Sequence, residues 1–154
     1  MNTDKTGIRI TRFPYEEPYH LNLFIEASNG KISSSLGYYC NASDLNKLGN
    51  QLLHFLGNGD EKIVYELGSE KPEDRFAFFF RFQVISLDAV GHSAIQLRMN
   101  NNRPPPATEV CEFCIPTDTA DVNRLGRLFV AFGELEHRVL EWSVKDGKLL
   151  MDVE

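Results

Sequence analysis

Cys111 and Cys114 stand in a Cys-x-x-Cys spacing. In redox proteins such a pair opens a helix, whose N-terminus lowers a thiol pKa. Here it falls in an alternating apolar and polar stretch that reads as a strand. An offset of three then sends the two thiols to opposite faces, out of reach of a shared metal ion or a disulfide unless the strand bulges. The spacing therefore predicts two buried structural cysteines behaving as small hydrophobes. No second Cys-x-x-Cys and no histidine at zinc-site spacing accompanies it, and three cysteines make no disulfide framework.

The four histidines, His20, His54, His92 and His137, form neither His-x-His nor His-Glu-x-x-His. His54 and His137 fall on expected helices, and His92 in a hairpin turn. A nucleophilic pair of Cys40 with a distant histidine stays open as an alternative. Gly57-Asn58-Gly59 follows a helix instead of opening one and lacks a third glycine, so it is not read as a phosphate loop. The acidic pairs Glu16-Glu17, Asp60-Glu61 and Glu73-Asp74 read mostly as solvated loop charge, although Glu16, Glu17 and Tyr19 share a loop with Phe13 and Tyr15 that suits recognition. These residues assign no catalytic group, no cofactor and no metal ligand.

The elements that must position any site belong to a chain of 154 residues with 42% hydrophobic and 25% charged residues. That fits one domain over residues 1–154, with residues 1–7 as a flexible polar tail. The net charge of −6 disfavours nucleic acid and anionic membranes. No apolar run approaches the ~20 residues that span a bilayer, and no signal peptide is recognisable. The expectation is a soluble, cytoplasmic protein.

Strands are expected at Ile8–Phe13, Tyr19–Ser28, Lys31–Cys40, Ile63–Leu67, Arg75–Leu87, Ser93–Met99 and Thr108–Ile115, from their period-two alternation. Asn29-Gly30 reads as a two-residue type I′ turn, and Asp146-Gly147 as the turn of a small terminal hairpin after Trp142. Asn100 to Pro106, with three prolines, reads as a loop or a polyproline segment. Helices are expected after the Asn41 and Asp118 caps, with Asp44 and Asp121 in their first turns. The first carries Leu45, Leu48, Leu52, Phe55 and Leu56. The second carries Val122, Leu125, Phe129, Phe132 and Val139 and extends to about Leu140. The predicted fold is α+β, a mostly antiparallel sheet of about seven strands with both helices on one face.

Asp44-Leu45-Asn46-Lys47-Leu48-Gly49 is answered 77 positions later by Asp121-Val122-Asn123-Arg124-Leu125-Gly126, and both run on to a phenylalanine, Phe55 and Phe132. This predicts an internal repeat of a strand–cap–helix unit, with halves of about 8–59 and 60–140. Gly49 and Gly126 fall on the apolar faces, where glycine costs ~1 kcal/mol against alanine. Close approach of the helix to the sheet or to the other helix supplies a reason, and the expectation is that the two helices pack beside each other near these glycines.

By alternation the outward face of the sheet carries Asn22, Phe24, Glu26, Glu66, Phe79, Arg81, Gln83, Gln96, Arg98 and Glu112. Of these, Phe24, Glu26, Phe79, Arg81, Gln96, Arg98 and Glu112 are the candidate partner-binding face, and cross-strand Arg–Glu pairing is the structural alternative.

The strand ending Tyr39-Cys40, the Asn41-Ala42-Ser43-Asp44-Leu45 start and the Leu48, Leu52, Phe55 stripe resemble the WapI-like immunity proteins and related small bacterial domains. Members of that group protect a cell by binding the toxic domain of a contact-delivered toxin. The resemblance implies a non-catalytic bacterial protein-binding function with a toxin domain as partner, and it brings no residue roles. The alternative is an enzyme or small-ligand binder with a pocket between sheet and helices.

Overall fold

The computed structural model describes residues 5–153. Among these, nine strands and two helices follow one another as β1 (Thr6–Glu16), β2 (His20–Asn29), β3 (Ser33–Cys40), α1 (Ala42–Leu53), β4 (Lys62–Gly68), β5 (Phe79–Ser86), β6 (His92–Asn100), β7 (Val110–Asp118), α2 (Thr119–Phe132), β8 (Val139–Ser143) and β9 (Asp146–Leu150), with a 3₁₀ turn over Pro72–Asp74. Every pairing is antiparallel, in two sheets of order β3-β2-β1-β8-β9 and β4-β5-β6-β7. The α+β class is as expected, but the single sheet of about seven strands is replaced by two sheets with nine. Hairpins pair neighbours in sequence. The pairing of β1 with β8, Ile8 opposite Trp142 and Ile10 opposite Leu140, joins the two ends of the chain and has no local signature.

Both sheets and both helices share one core. Tyr38 of β3 stacks on Phe80 of β5 with centroids 4.7 Å apart, and Phe82 of β5 meets Phe129 of α2 edge-on at 6.0 Å. The alternating residues Leu21, Leu23 and Ile25 of β2 and Ile95, Leu97 and Met99 of β6 all point into it, as does the helical stripe Leu45, Leu48, Leu52 and that of Val122, Leu125, Phe129, Phe132.

The helices cross where the glycines lie. A Cβ added at Gly49 would meet the Val130 backbone nitrogen at 2.9 Å and the Gly126 carbonyl at 3.0 Å. One added at Gly126 would meet the Gly49 carbonyl at 2.6 Å and run into the Leu53 nitrogen. Asn123 Nδ2 of α2 then shares its two hydrogens among the carbonyls of Leu52 (2.9 Å), Leu53 (3.1 Å) and Phe55 (3.0 Å) at the end of α1, where the Leu52 carbonyl also accepts from the Phe55 amide at 3.2 Å.

Several boundaries differ from expectation for local reasons. Residues 6 and 7 belong to β1 and not to a tail, because Gly7 pairs with both Ser28 and Ser143; residues 1–4 lie outside the described residues. Four residues, Asn29 to Ile32, separate the last β2–β3 pair, Ser28 opposite Ser33, in place of a two-residue turn. The Asn29 side chain accepts from the Lys31 and Ile32 amides at 2.9 and 2.8 Å and so closes the loop itself. The strand expected from Arg75 begins only at Phe79, since the 3₁₀ turn and the left-handed Arg75 (φ 56°) interrupt the pairing and leave Phe76 exposed.

Helix α1 stops at Leu53, leaving Leu56 exposed. Helix α2 stops at Phe132; Val139 and Leu140 belong to β8, and His137 lies in the connection rather than on a helix. The terminal hairpin turns at Val144-Lys145, with Asp146 and Gly147 already paired. Neither Asn41 nor Asp118 caps its helix through the side chain; the Asp44 amide donates to the Asn41 carbonyl at 3.0 Å instead.

Candidate protein-binding faces

The residues expected on one outward face are divided between the two sheets. Arg81, Arg98 and Glu112 lie in one row across β5, β6 and β7, continued by Glu66 on β4. Two arginines directly opposite one another repel, and carboxylates on both sides offset this. Arg81 Nη2 donates to Glu112 Oε1 at 2.6 Å, and Arg98 Nη1 lies 3.6 Å from Glu112 Oε2. Arg98 also grips Glu70 with Nε and Nη2 at 2.9 and 2.8 Å, and Asn100 Nδ2 adds a third donor at 2.7 Å. The Arg98 hydrogen bonds hold the Glu70 carboxyl below its ordinary pKa, and Glu70 in turn raises that of Arg98.

The next row pairs Gln83 with Gln96 through their side chains. Phe79 does lie on this outward side, but it is only 7% exposed and the Arg81 guanidinium sits 6.0 Å from its ring centroid, so it offers no free anchor. The face is a closed ladder in which each guanidinium is engaged within the protein.

Phe24 and Glu26 stand on the outward side of the other sheet, among residues of different character. Tyr39, Asn22 and Phe13 form one row across β3, β2 and β1. Tyr15 stacks on Phe13, with centroids 6.5 Å apart and planes 11° apart. Tyr15 is 77% and Tyr39 59% exposed, and Tyr19 at the hairpin tip is exposed as well. The next row holds Phe24 between Thr11 and Gly37, and the one beyond holds Glu26 beside Arg9, Glu141 and Lys148.

The β1–β2 hairpin that carries Tyr15 is anchored by buried Arg12. Its Nε and Nη2 donate to the carbonyls of His137 and Leu135, each at 3.0 Å, while Nη1 holds Glu17. Glu17 is thus a structural partner and not solvated loop charge. Tyr39 lay open to sequence reasoning, because alternation that buries Tyr38 and Cys40 must expose it. Its row partner Phe13 ends the expected strand Ile8–Phe13, and Pro14 concealed that β1 runs on through Tyr15 to Glu16.

The cysteines separate as the strand argument requires, but only one of the three is buried. Cys111 is half-buried on the inner side of β7, and Cys114 is exposed on the other, contrary to the expectation that both are buried. Proximity of Cys114 to an open edge, not its apolar character, decides this: β7 has a single neighbour in its sheet.

Cys40 is buried beside Tyr65 and Asp44, and Tyr65 Oη donates to Asp44 Oδ2 at 2.8 Å. Desolvation, reinforced by the Asp44 charge, pushes the thiol up to about 12. The groups acting on Cys40 are an acid and a phenol, not a histidine, so it stays protonated and unreactive. With a small thiol reagent at mildly alkaline pH, Cys114 is expected to be modified at once and Cys40 only on unfolding. Rapid labelling of Cys40 in the folded protein would overturn this placement.

No group of three or more His, Cys, Asp or Glu side chains among the described residues is arranged to hold a metal ion. The gap between sheets and helices, lined by Tyr38, Cys40, Asp44, Leu45, Tyr65 and Phe80, amounts to about 10 Å³, at most one water. Larger hollows of about 340 Å³ beside Trp142 and about 500 Å³ beside Tyr65 lie open on the surface. Among the described residues no helix is long and apolar enough to cross a membrane. Compared with known proteins, the chain matches no family model, no curated protein and no solved structure.

Proposed function

We propose that this chain is a non-catalytic bacterial protein-binding protein of the immunity type, acting in the cytoplasm by covering a toxin domain. The covering surface is the aromatic outward side of the five-stranded sheet. The observation that carries this reading is the exposure of Tyr15 and Tyr39 on one side of a rigid sheet, around Phe13, Asn22 and Phe24. Tyrosines on a fixed scaffold supply large contact area at little entropic cost, and they dominate interface hot spots. A net charge of −6 favours a basic partner such as a nuclease domain, since opposite charge raises the association rate. The filled interior supports binding at a surface over a ligand pocket between sheet and helices. The same reading takes β3–α1 and β7–α2, whose helices begin 77 positions apart at Ala42 and Thr119, as two copies of one strand–cap–helix unit.

The test reads the neighbouring genes for a toxin domain, whose consistent absence would count against the immunity reading, and then co-expresses that domain with this chain and measures the affinity. Tyr15→Ala and Tyr39→Ala are each expected to weaken the complex by roughly tenfold or more with an unchanged melt. Arg81→Ala with Arg98→Ala is expected to leave affinity nearly unchanged. The opposite pattern would move the interface to the charged ladder, and failure of the intact protein to protect cells or bind the toxin would end the immunity reading.

A further inference from the structure

At the end of the four-stranded sheet the Ser69–Phe78 segment and the Asn100–Thr108 loop enclose a groove of about 460 Å³. Three cations line it, Lys71, Arg75 and Arg103, and none of them forms an ion pair among the described residues. The one carboxylate that lines it, Glu70, is already taken by Arg98 and Asn100; Glu73 and Asp74 belong to the same segment but do not line the groove, and Asp74 accepts from Ser69 Oγ at 2.6 Å. Beside the cations lie two apolar side chains that the core does not use, Phe76, 53% exposed, and Val110, 50% exposed.

The walls are fixed in place. Arg75 (φ 56°) and Asn102 (φ 53°) both hold left-handed backbone, which asparagine tolerates but which costs free energy in arginine, and such strain collects at functional sites. The Asn102 side chain ties the two walls together, donating to the carbonyls of Ser69 at 2.8 Å and Phe76 at 3.0 Å, while its amide donates to Asn100 Oδ1 at 2.8 Å. In a chain of net charge −6, this is a preorganised concentration of unspent positive charge around an apolar floor.

We infer that the groove binds an acidic peptide segment carrying a bulky apolar residue. Its carboxylates would pair with Arg75, Arg103 and Lys71, and its apolar side chain would lie on Phe76 and Val110. Arginine matches carboxylates with two parallel hydrogen bonds, which adds geometry to charge. The exposed apolar pair has no use for an inorganic anion, and a peptide satisfies both features at once. The groove is separate from the tyrosine-bearing sheet, and its occupancy does not depend on that sheet's function.

Fluorescence anisotropy with a dye-labelled peptide of glutamates around a central phenylalanine tests this. Saturable binding is expected, and it should weaken steeply with added salt. Arg75→Asn, which keeps a residue tolerant of the left-handed backbone, combined with Arg103→Gln should weaken it by roughly tenfold or more. The all-glutamine peptide should lose binding similarly, and a phenylalanine-to-serine peptide by a smaller factor. Equal binding to the double variant, no saturation at about 1 mM peptide, or tighter binding of an equally charged single-stranded oligonucleotide would each overturn the proposal. Loss of this binding would leave the Tyr15 and Tyr39 outcomes untouched, so the two readings fail separately.

Discussion

Gly126→Leu is expected to destabilise the protein by about 3 kcal/mol or more, a fall of roughly 6–12 °C in melting temperature. The new Cβ would occupy the space of the Leu53 nitrogen and the Gly49 carbonyl, and would approach the Leu52 carbonyl carbon at 2.9 Å. These are backbone atoms, so no rotamer change makes room. The helices must separate, which opens the packing around Leu52 and Phe129. Helix propensity pulls the other way by only ~1 kcal/mol, because leucine is a better helix former than glycine. Gly49→Leu should act in the same direction with a smaller effect, since one of its nearest atoms, Val130 Cγ2 at 2.8 Å, belongs to a side chain that can move. Thermal melts of both variants measure this, and an unchanged Gly126→Leu melt would remove the close crossing as the reason for these glycines.

Asp121→Ala is expected to cost about 3 kcal/mol, whereas Asp44→Ala at the aligned position should cost only about 1 kcal/mol. Asp121 is buried and accepts from Arg124 Nη1 at 2.9 Å and from the Lys145 amide at 3.0 Å, with Thr117 Oγ1 at 3.5 Å. Its removal strands a backbone N–H and a partly buried guanidinium, and loosens the turn between β8 and β9. The Trp142 indole survives as a partner because it donates to the Asp121 carbonyl, at 3.0 Å. Asp44 keeps a single side-chain bond, from Tyr65, in a half-exposed setting. Asp121→Asn should recover part of the loss, since it retains an acceptor for the Lys145 amide. Denaturant titrations of the three variants would check the order, and equal costs at the two positions would show that both aspartates act only on their helix starts.

That pair of aspartates marks where local reading stops. Both were legible as first-turn carboxylates, from their place before an apolar stripe. Nothing local tells that Asp121 also meets β8 and β9, because Lys145 reaches it only through the return of the chain after α2. Asn46 and Asn123 diverge in the same way: Asn123 caps the end of α1, while Asn46 is exposed and bonds to Asn50 one turn on.

The candidate site was legible in part. Alternation placed Arg81, Gln96, Arg98 and Glu112 on one outward side, as found. It also put Phe24 and Glu26 with them, because a period of two reports which side of its own strand a residue takes and nothing about which sheet that strand joins. Phe79 shows the same limit: its side was right, but alternation could not tell that it would be buried on that side.

By itself, then, the sequence determined seven of the nine strands through their alternation, the cores of the two helices through their apolar stripes, and the helix crossing through glycines that propensity alone disfavours. These are signals within about a dozen residues, where period and steric size act directly. The tertiary structure alone decided that the strands divide into two sheets, that Tyr39 and Phe13 share a row, and that Lys71, Arg75 and Arg103 gather around Phe76 and Val110. Those arrangements come from pairings between distant segments, selected by the burial of one common core.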